Sequence, residues 1–101
     1  MIQDRRTGSQ QVPEDLDSLI GQDVVLDTEG ATLYIGRMVA VTPQGFWLAE
    51  ADVHNCREGH ATREQYVTES ARDGVRVNRA RVFVFRHTVL SVSALADVLT
   101  D

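Results

Sequence analysis

The chain has 101 residues, enough for one domain, and a net charge of −5, which argues against wholesale nucleic-acid binding. Its single cysteine, Cys56, excludes an intrachain disulfide. No apolar run approaches the roughly 18 residues that span a bilayer. The start, Met1-Ile2-Gln3-Asp4-Arg5-Arg6, leads into polar residues, which predicts no signal peptide and a cytoplasmic protein.

Residues 1–11 are polar, with Gly8 and Ser9, and read as a flexible tail before a single domain over 12–101. Pro13 suits a first helical turn, and Glu14 and Asp15 suit the positive end of its dipole. Leu16, Leu19 and Ile20 follow at helical spacing, and Gly21 stops the element. The expectation is a short N-terminal helix lying as a lid on a barrel of strands. The first strand is Asp23 to Thr28, turned by Glu29-Gly30. The second is Leu33 to Thr42, with Gly36 in its middle. A mid-strand glycine marks a bulge, a bend or a close backbone approach. Pro43-Gln44-Gly45 is a turn signal, and a third strand runs from Phe46 to about Val53.

A long segment, 54–75, comes next. It begins as a polar loop. Thr62 and Gln65 then have capping-box spacing, Tyr66, Val67, Ser70 and Ala71 keep a helical period, and Gly74 is a stop. This predicts a helix over 63–73, with a β reading of Gln65-Tyr66-Val67-Thr68 as the competitor. The fourth strand is Val77 to Arg86 and the fifth Val89 to Ser93. Val82, Phe83, Val84 and Phe85 are apolar on both sides of the pleat, so the fourth strand is expected to be covered on both faces: by the core on one, and by the lid helix or another subunit on the other. Leu95, Val98 and Leu99 indicate a final helical turn or two. The fold class is mainly β: a small, strongly bent, five-stranded antiparallel barrel with a short N-terminal helix and a helical insertion.

The charges are unevenly spread. Glu14 to Glu29 holds acids and no base, whereas Val75 to Arg86 holds Arg76, Arg79, Arg81 and Arg86 and no acid. Either the two regions meet in neighbouring strands or subunits, or the arginines form an anion-binding strip.

Three segments resemble the Sm and Sm-like protein family. Leu16-Asp17-Ser18-Leu19-Ile20-Gly21-Gln22-Asp23-Val24-Val25-Leu26 resembles its entry helix and first strand. Ile35-Gly36-Arg37-Met38 is similar to its second-strand glycine, followed two residues on by a large apolar residue. Phe85-Arg86-His87-Thr88-Val89-Leu90-Ser91-Val92 resembles the second Sm motif. The resemblance implies a non-enzymatic module without cofactor. It further implies a cyclic homo-oligomer of about five to seven copies, the fourth strand of one copy pairing with the fifth of the next, and single-stranded RNA as partner. The family's RNA-binding Asp and Asn would fall on Thr42 and Phe46, or on Gly45 with a one-residue deletion, and none of these supplies an acid or an amide. The glycine of the second motif is His87. Thr42, Gln44, Arg86 and His87 are therefore the candidate RNA-binding residues, since an arginine can pair with phosphate or stack on a base. The alternative is an interaction module that kept the barrel and lost RNA binding.

Phe46 and Trp47 are strand neighbours, so one should enter the core and the other face outward. Asp52, His54, Cys56 and His60 are of metal-ligand type, and the first three share strand parity. Their Asp-x-His-x-Cys-x3-His spacing matches no standard zinc pattern. No metal ligand is assigned, and a metal-binding alternative rests on this loop alone. No phosphate-cradling glycine loop and no Gly-x-Ser-x-Gly elbow occurs, so no catalytic residue is assigned.

Overall fold

The computed structural model describes residues 16–59 and 61–100. The tail, the start of the N-terminal helix at Pro13, Glu14 and Asp15, and His60 lie outside them. The elements are β1 (Asp23–Thr28), β2 (Thr32–Val41), β3 (Gly45–Asn55), α1 (Arg63–Asp73), β4 (Arg79–Phe85) and β5 (Val89–Ala94), with 3-10 turns at Arg86–Thr88 and Leu95–Asp97. All five strands form one antiparallel sheet in the order β4-β3-β2-β1-β5. The sheet is strongly bent but not closed, because β4 and β5 stand at opposite ends of that order.

The bend has identifiable causes. Gly36 of β2 faces two residues of β3, Glu50 and Ala51: Ile35 pairs with Asp52, but Arg37 pairs with Ala49. Glu50 takes the extra step with φ 49°, an uncommon conformation for a residue with a side chain. A Cβ on Gly36 would sit 2.9 Å from both Cα and Cβ of Ala51, so only glycine lets the strands approach. Further register shifts occur at Val39 and at Leu90. Each inserts one residue and increases the local twist.

Bending brings the end strands together inside. Val24, Leu26, Met38, Phe46, Leu48, Ala51 and Val84 form an inner core, and Val82 of β4 packs on it together with Val89 and Val92 of β5. Leu16 and Leu19 also pack there, as the lid reading required. Gly21 N–H donates to Met38 C=O at 2.8 Å, and Met38 N–H to Gln22 C=O at 2.9 Å, pinning this entry turn to β2. Among the described residues only Leu16 and Asp17 are helical there, and Ile20 is exposed rather than on the apolar face.

The outer face carries a second core of Val25, Leu33, Ile35, Tyr66 and Leu95, supported by Val67, Ala71 and Val98. The helix α1 covers β1 and β2 on this side. Its bounds match the expected 63–73, and the β alternative is excluded. Gln65 N–H donates to Thr62 Oγ1 at 3.1 Å, and Thr62 N–H to Gln65 Oε1 at 2.8 Å, a reciprocal capping box. Gly74 ends the helix with φ 103°.

On the outer face of β4, the lid alternative does not hold among the described residues. Val82 and Val84 enter the core, and among the described residues no lid reaches the other face. Phe83 is half-buried and Phe85 is 56% exposed. The described entry residues do not cover it, because Leu16 and Leu19 are held on the inner core.

Candidate nucleic-acid interface

The β2–β3 turn is built by a hydroxyl. Thr42 Oγ1 accepts from Gln44 N–H at 3.2 Å and Gly45 N–H at 3.1 Å, and Thr42 N–H donates to Gly45 C=O at 2.8 Å. This is the local bonding that favours threonine in turns. The turn is then tied to the β4–β5 link, where Arg86 N–H donates to Gln44 C=O at 2.8 Å. Thr42, Gln44 and Arg86 thus meet at one end of the sheet. Next to Arg86, His87 has its ring centroid 6.0 Å from that of Phe85. Gln44, Arg86 and His87 are exposed, while the Thr42 hydroxyl is engaged in the turn. The Arg86 guanidinium lies 5.9 Å from the Phe46 ring centroid. Phe46 is a core residue, 3% exposed, so its position carries no polar group to this end. Gly45 cannot supply one either: even a Cβ there would lie 2.1 Å from Val84 C=O.

Trp47 takes the outward position expected of one aromatic neighbour. It starts a stripe along the outer face of β3 and β4. Its ring meets Phe83 edge-on at 5.0 Å, Phe83 meets Phe85 edge-on at 5.1 Å, and the Arg81 guanidinium lies 4.5 Å from the Trp47 ring centroid. Edge-to-face rings and a cation over indole are both favourable arrangements. Among the described residues, the ion pairs are Arg37–Glu50, Arg63–Asp27 at 2.6 Å and Arg76–Glu69 at 3.1 Å. Arg79, Arg81 and Arg86 have no acidic partner there. The arginine-rich and acid-rich segments therefore do not neutralise each other among the described residues.

Asp52 and His54 share a side, as strand parity requires, and both engage Tyr66 of α1. The Tyr66 hydroxyl donates to Asp52 Oδ2, and the His54 ring stacks on the Tyr66 ring at 3.6 Å. Asn78 Nδ2 donates to Asp52 Oδ1 at 3.1 Å. Asp52 is 1% exposed, so a carboxylate here requires these donors. Burial, then the Asp52 hydrogen bond and charge, push the Tyr66 phenol up to about 12. Among the described residues, no three His, Cys, Asp or Glu side chains come together for a metal. Cys56 packs instead against the second core. Asn78 carried no signal that linked it to Asp52 across 26 residues.

No family model matches the chain, and no curated protein matches its sequence. Solved structures do. A Pyrococcus abyssii Sm protein in complex with a uridine heptamer superposes with a TM-score of 0.58 at 15% identity, covering 82% of this chain and 96% of that one. The fold is that of the Sm proteins. An SmAP (LSm) protein from Methanococcus vannielii matches with a TM-score of 0.57 at 18% identity, over 86% of this chain and 98% of that one. The P. aerophilum SmAP1 heptamer gives 0.57 at 16% identity, over 83% and 92%. Within the Sm fold, the end that joins Thr42, Gln44 and Arg86 is formed by the β2–β3 and β4–β5 connections. No helix among the described residues is long and apolar enough to cross a membrane.

Proposed function

We propose that this chain is a non-enzymatic Sm-like module that assembles into a homo-oligomeric ring and binds single-stranded RNA at the end formed by Gln44, Arg86 and His87. The observation that carries the assembly is the pair of edge strands, β4 and β5, at opposite ends of a bent sheet. Unpaired edges invite pairing, and a head-to-tail contact that closes gives a ring. Resemblance to a heptamer and to a uridine-bound protein supports the same reading. Arg86 supplies phosphate pairing or stacking, and its backbone is fixed to Gln44.

Native mass measurement with and without a single-stranded RNA pool tests both parts. The expected result is a multiple of the 11.2 kDa chain that gains mass with RNA. Affinity should fall with salt, and Arg86→Ala should lower both the affinity and the salt slope, the latter by about one unit. A monomer at micromolar concentration overturns the ring. An RNA-free oligomer leaves the second reading, a protein-interaction module. That reading is favoured by Phe46 and Gly45, which bring no polar side chain to the RNA end.

A further inference from the structure

The outer faces of β3 and β4 share one patch. Strand alternation sends Val82 and Val84 to the inner core and leaves Arg79, Arg81, Phe83 and Phe85 on the opposite side. Trp47 and Ala49 of β3 stand beside them, since Trp47 pairs with Phe83 and Ala49 with Arg81. The patch therefore consists of aromatic rings, a methyl group and two guanidinium groups. None of these side chains carries a hydroxyl, an amide or a carboxylate.

Two observations point to a ligand rather than to a merely solvated face. The first is the state of the arginines. Arg37, Arg63 and Arg76 each meet an acid, at Glu50, Asp27 and Glu69, whereas Arg79 and Arg81 meet none among the described residues. The Arg81 guanidinium lies 4.5 Å from the Trp47 ring centroid and makes no side-chain hydrogen bond among the described residues. A guanidinium already laid on an indole loses little further freedom when its N–H edges bind an anion. The second is the apolar surface beside that charge. Phe85 is 56% exposed, and Trp47 and Phe83 are only half-buried. Rings and cations side by side match a ligand with planar apolar faces and an anionic backbone.

We infer that this patch is a stacking platform for single-stranded nucleic acid, DNA and RNA alike, separate from the end formed by Gln44, Arg86 and His87. Bases stack on the exposed rings and on the Arg81 guanidinium, and Arg79 and Arg81 pair with phosphates. Telling RNA from DNA takes a group that bonds the 2′-hydroxyl, and reading sequence takes donors and acceptors aimed at base edges. The polar groups here are the two guanidiniums, which the phosphates engage, so the platform is indifferent to the sugar and tolerant of sequence. The separation from the other end is geometric. Phe46 and Trp47 are neighbours on β3 but face opposite sides: Phe46 is 3% exposed in the inner core with Arg86 near its ring, and Trp47 lies outside with Arg81 near its own. The platform uses a face of the sheet and leaves the β4 edge free, so it rests on neither the ring nor the Arg86 end.

The chain's one tryptophan reports on the platform. Its fluorescence is titrated at low salt with an oligothymidylate and an oligouridylate of about 12 nucleotides, and folding of each variant is checked by circular dichroism. Both probes should quench it, with affinities within about threefold of each other. Arg79→Ala with Arg81→Ala, at two exposed positions, should weaken that binding by about tenfold or more and lower the salt slope by about 1.4, the share of two phosphates on a single strand. Arg86→Ala should leave the oligothymidylate midpoint within about twofold of wild type. Emission that neither probe changes overturns the platform, whatever mass the protein gains with RNA. A double variant that binds like wild type overturns it, and so does an Arg86→Ala chain that loses the quenching, since the contact then belongs to the other end. Quenching by oligouridylate and none by oligothymidylate overturns it too, because that needs a reader of the 2′-hydroxyl. Polyglutamate that quenches as tightly as the oligonucleotides would give the patch to an acidic protein segment and overturn the nucleic-acid platform.

Discussion

At the scale of single residues, Asp52 and Tyr66 decide how the inserted helix is held. A buried carboxylate is costly unless its oxygens are hydrogen-bonded. Asp52 has Tyr66 on one oxygen and Asn78 on the other. Tyr66→Phe keeps the ring but removes a donor, and should destabilise the fold by about 1–3 kcal/mol in thermal or urea unfolding. The phenol also sets a pH dependence. Its folded pKa of about 12 lies above the ordinary 10.0, so the folded chain holds a proton that the unfolded chain releases first. That stability is complete below pH 10 and is lost as pH rises through 12. A spectrophotometric titration of a Tyr34→Phe chain should show the remaining phenol ionising near 12, and Tyr66→Phe should lose this alkaline dependence of stability.

At the scale of elements, two glycines set the path of the sheet, and they are not equivalent. A Cβ on Gly36 meets Ala51 at 2.9 Å and Ala49 C=O at 3.2 Å. A Cβ on Gly45 meets Val84 C=O at 2.1 Å and Arg86 N at 3.1 Å. Backbone cannot move aside as a flexible side-chain end does. Gly36→Ala should cost about 1–3 kcal/mol, and Gly45→Ala more than about 3 kcal/mol, measured by urea unfolding. An equal cost would contradict this ranking. The contrast also shows which features were legible in the sequence. Gly36 stands between apolar strand residues, so its role was readable. Gly45 follows Pro43-Gln44 and looked like an ordinary turn residue, since its tight neighbour Val84 lies far along the chain. The helix was legible to its ends because Thr62, Gln65 and Gly74 are local signals. The Asp52–Tyr66–Asn78 cluster was not, because hydrogen bonding between distant segments leaves no period. The grouping of Thr42 and Gln44 with Arg86 came from the resemblance, and the Gln44–Arg86 backbone bond supplies its physical cause.

At the scale of the whole molecule, the uneven charge acquires a consequence. Arg79, Arg81 and Arg86 have no acidic partner among the described residues, while the exposed acids Glu64 and Asp97 have no basic one there. In the proposed head-to-tail assembly, exposed arginines of one copy would face exposed acids of the next. Self-association should therefore weaken as salt rises, because screening acts on the charged rim and not on the apolar strand contact. Sedimentation across a salt series checks this: a midpoint that does not move would mean that apolar contact alone sets the assembly. The proposed ring would also give Phe85 a neighbour. Its exposure is a poor solution for an isolated chain and a reasonable one for a copy with a neighbour.

Asn78 gives the insertion a clasp. Its Oδ1 accepts from Val53 N–H at 3.0 Å, its Nδ2 donates to Val53 C=O at 3.1 Å, and its own N–H donates to Ala51 C=O at 2.9 Å. The side-chain amide imitates a peptide unit and extends the β3–β4 ladder by one rung where the chain departs into the helix. The segment that carries α1 thereby has a closed base, and the expected behaviour is that it opens while the ladder beneath it stays paired. Amide hydrogen exchange would register this as a sub-global opening: α1 protons exchanging together, and sooner than those of β3, with Asn78→Ala spreading the fast exchange back into Val53 and the strand end. A segment fastened in this way can lengthen, shorten or change its outer surface with the bent sheet left as it is, which makes it the part of the molecule freest to acquire new contacts.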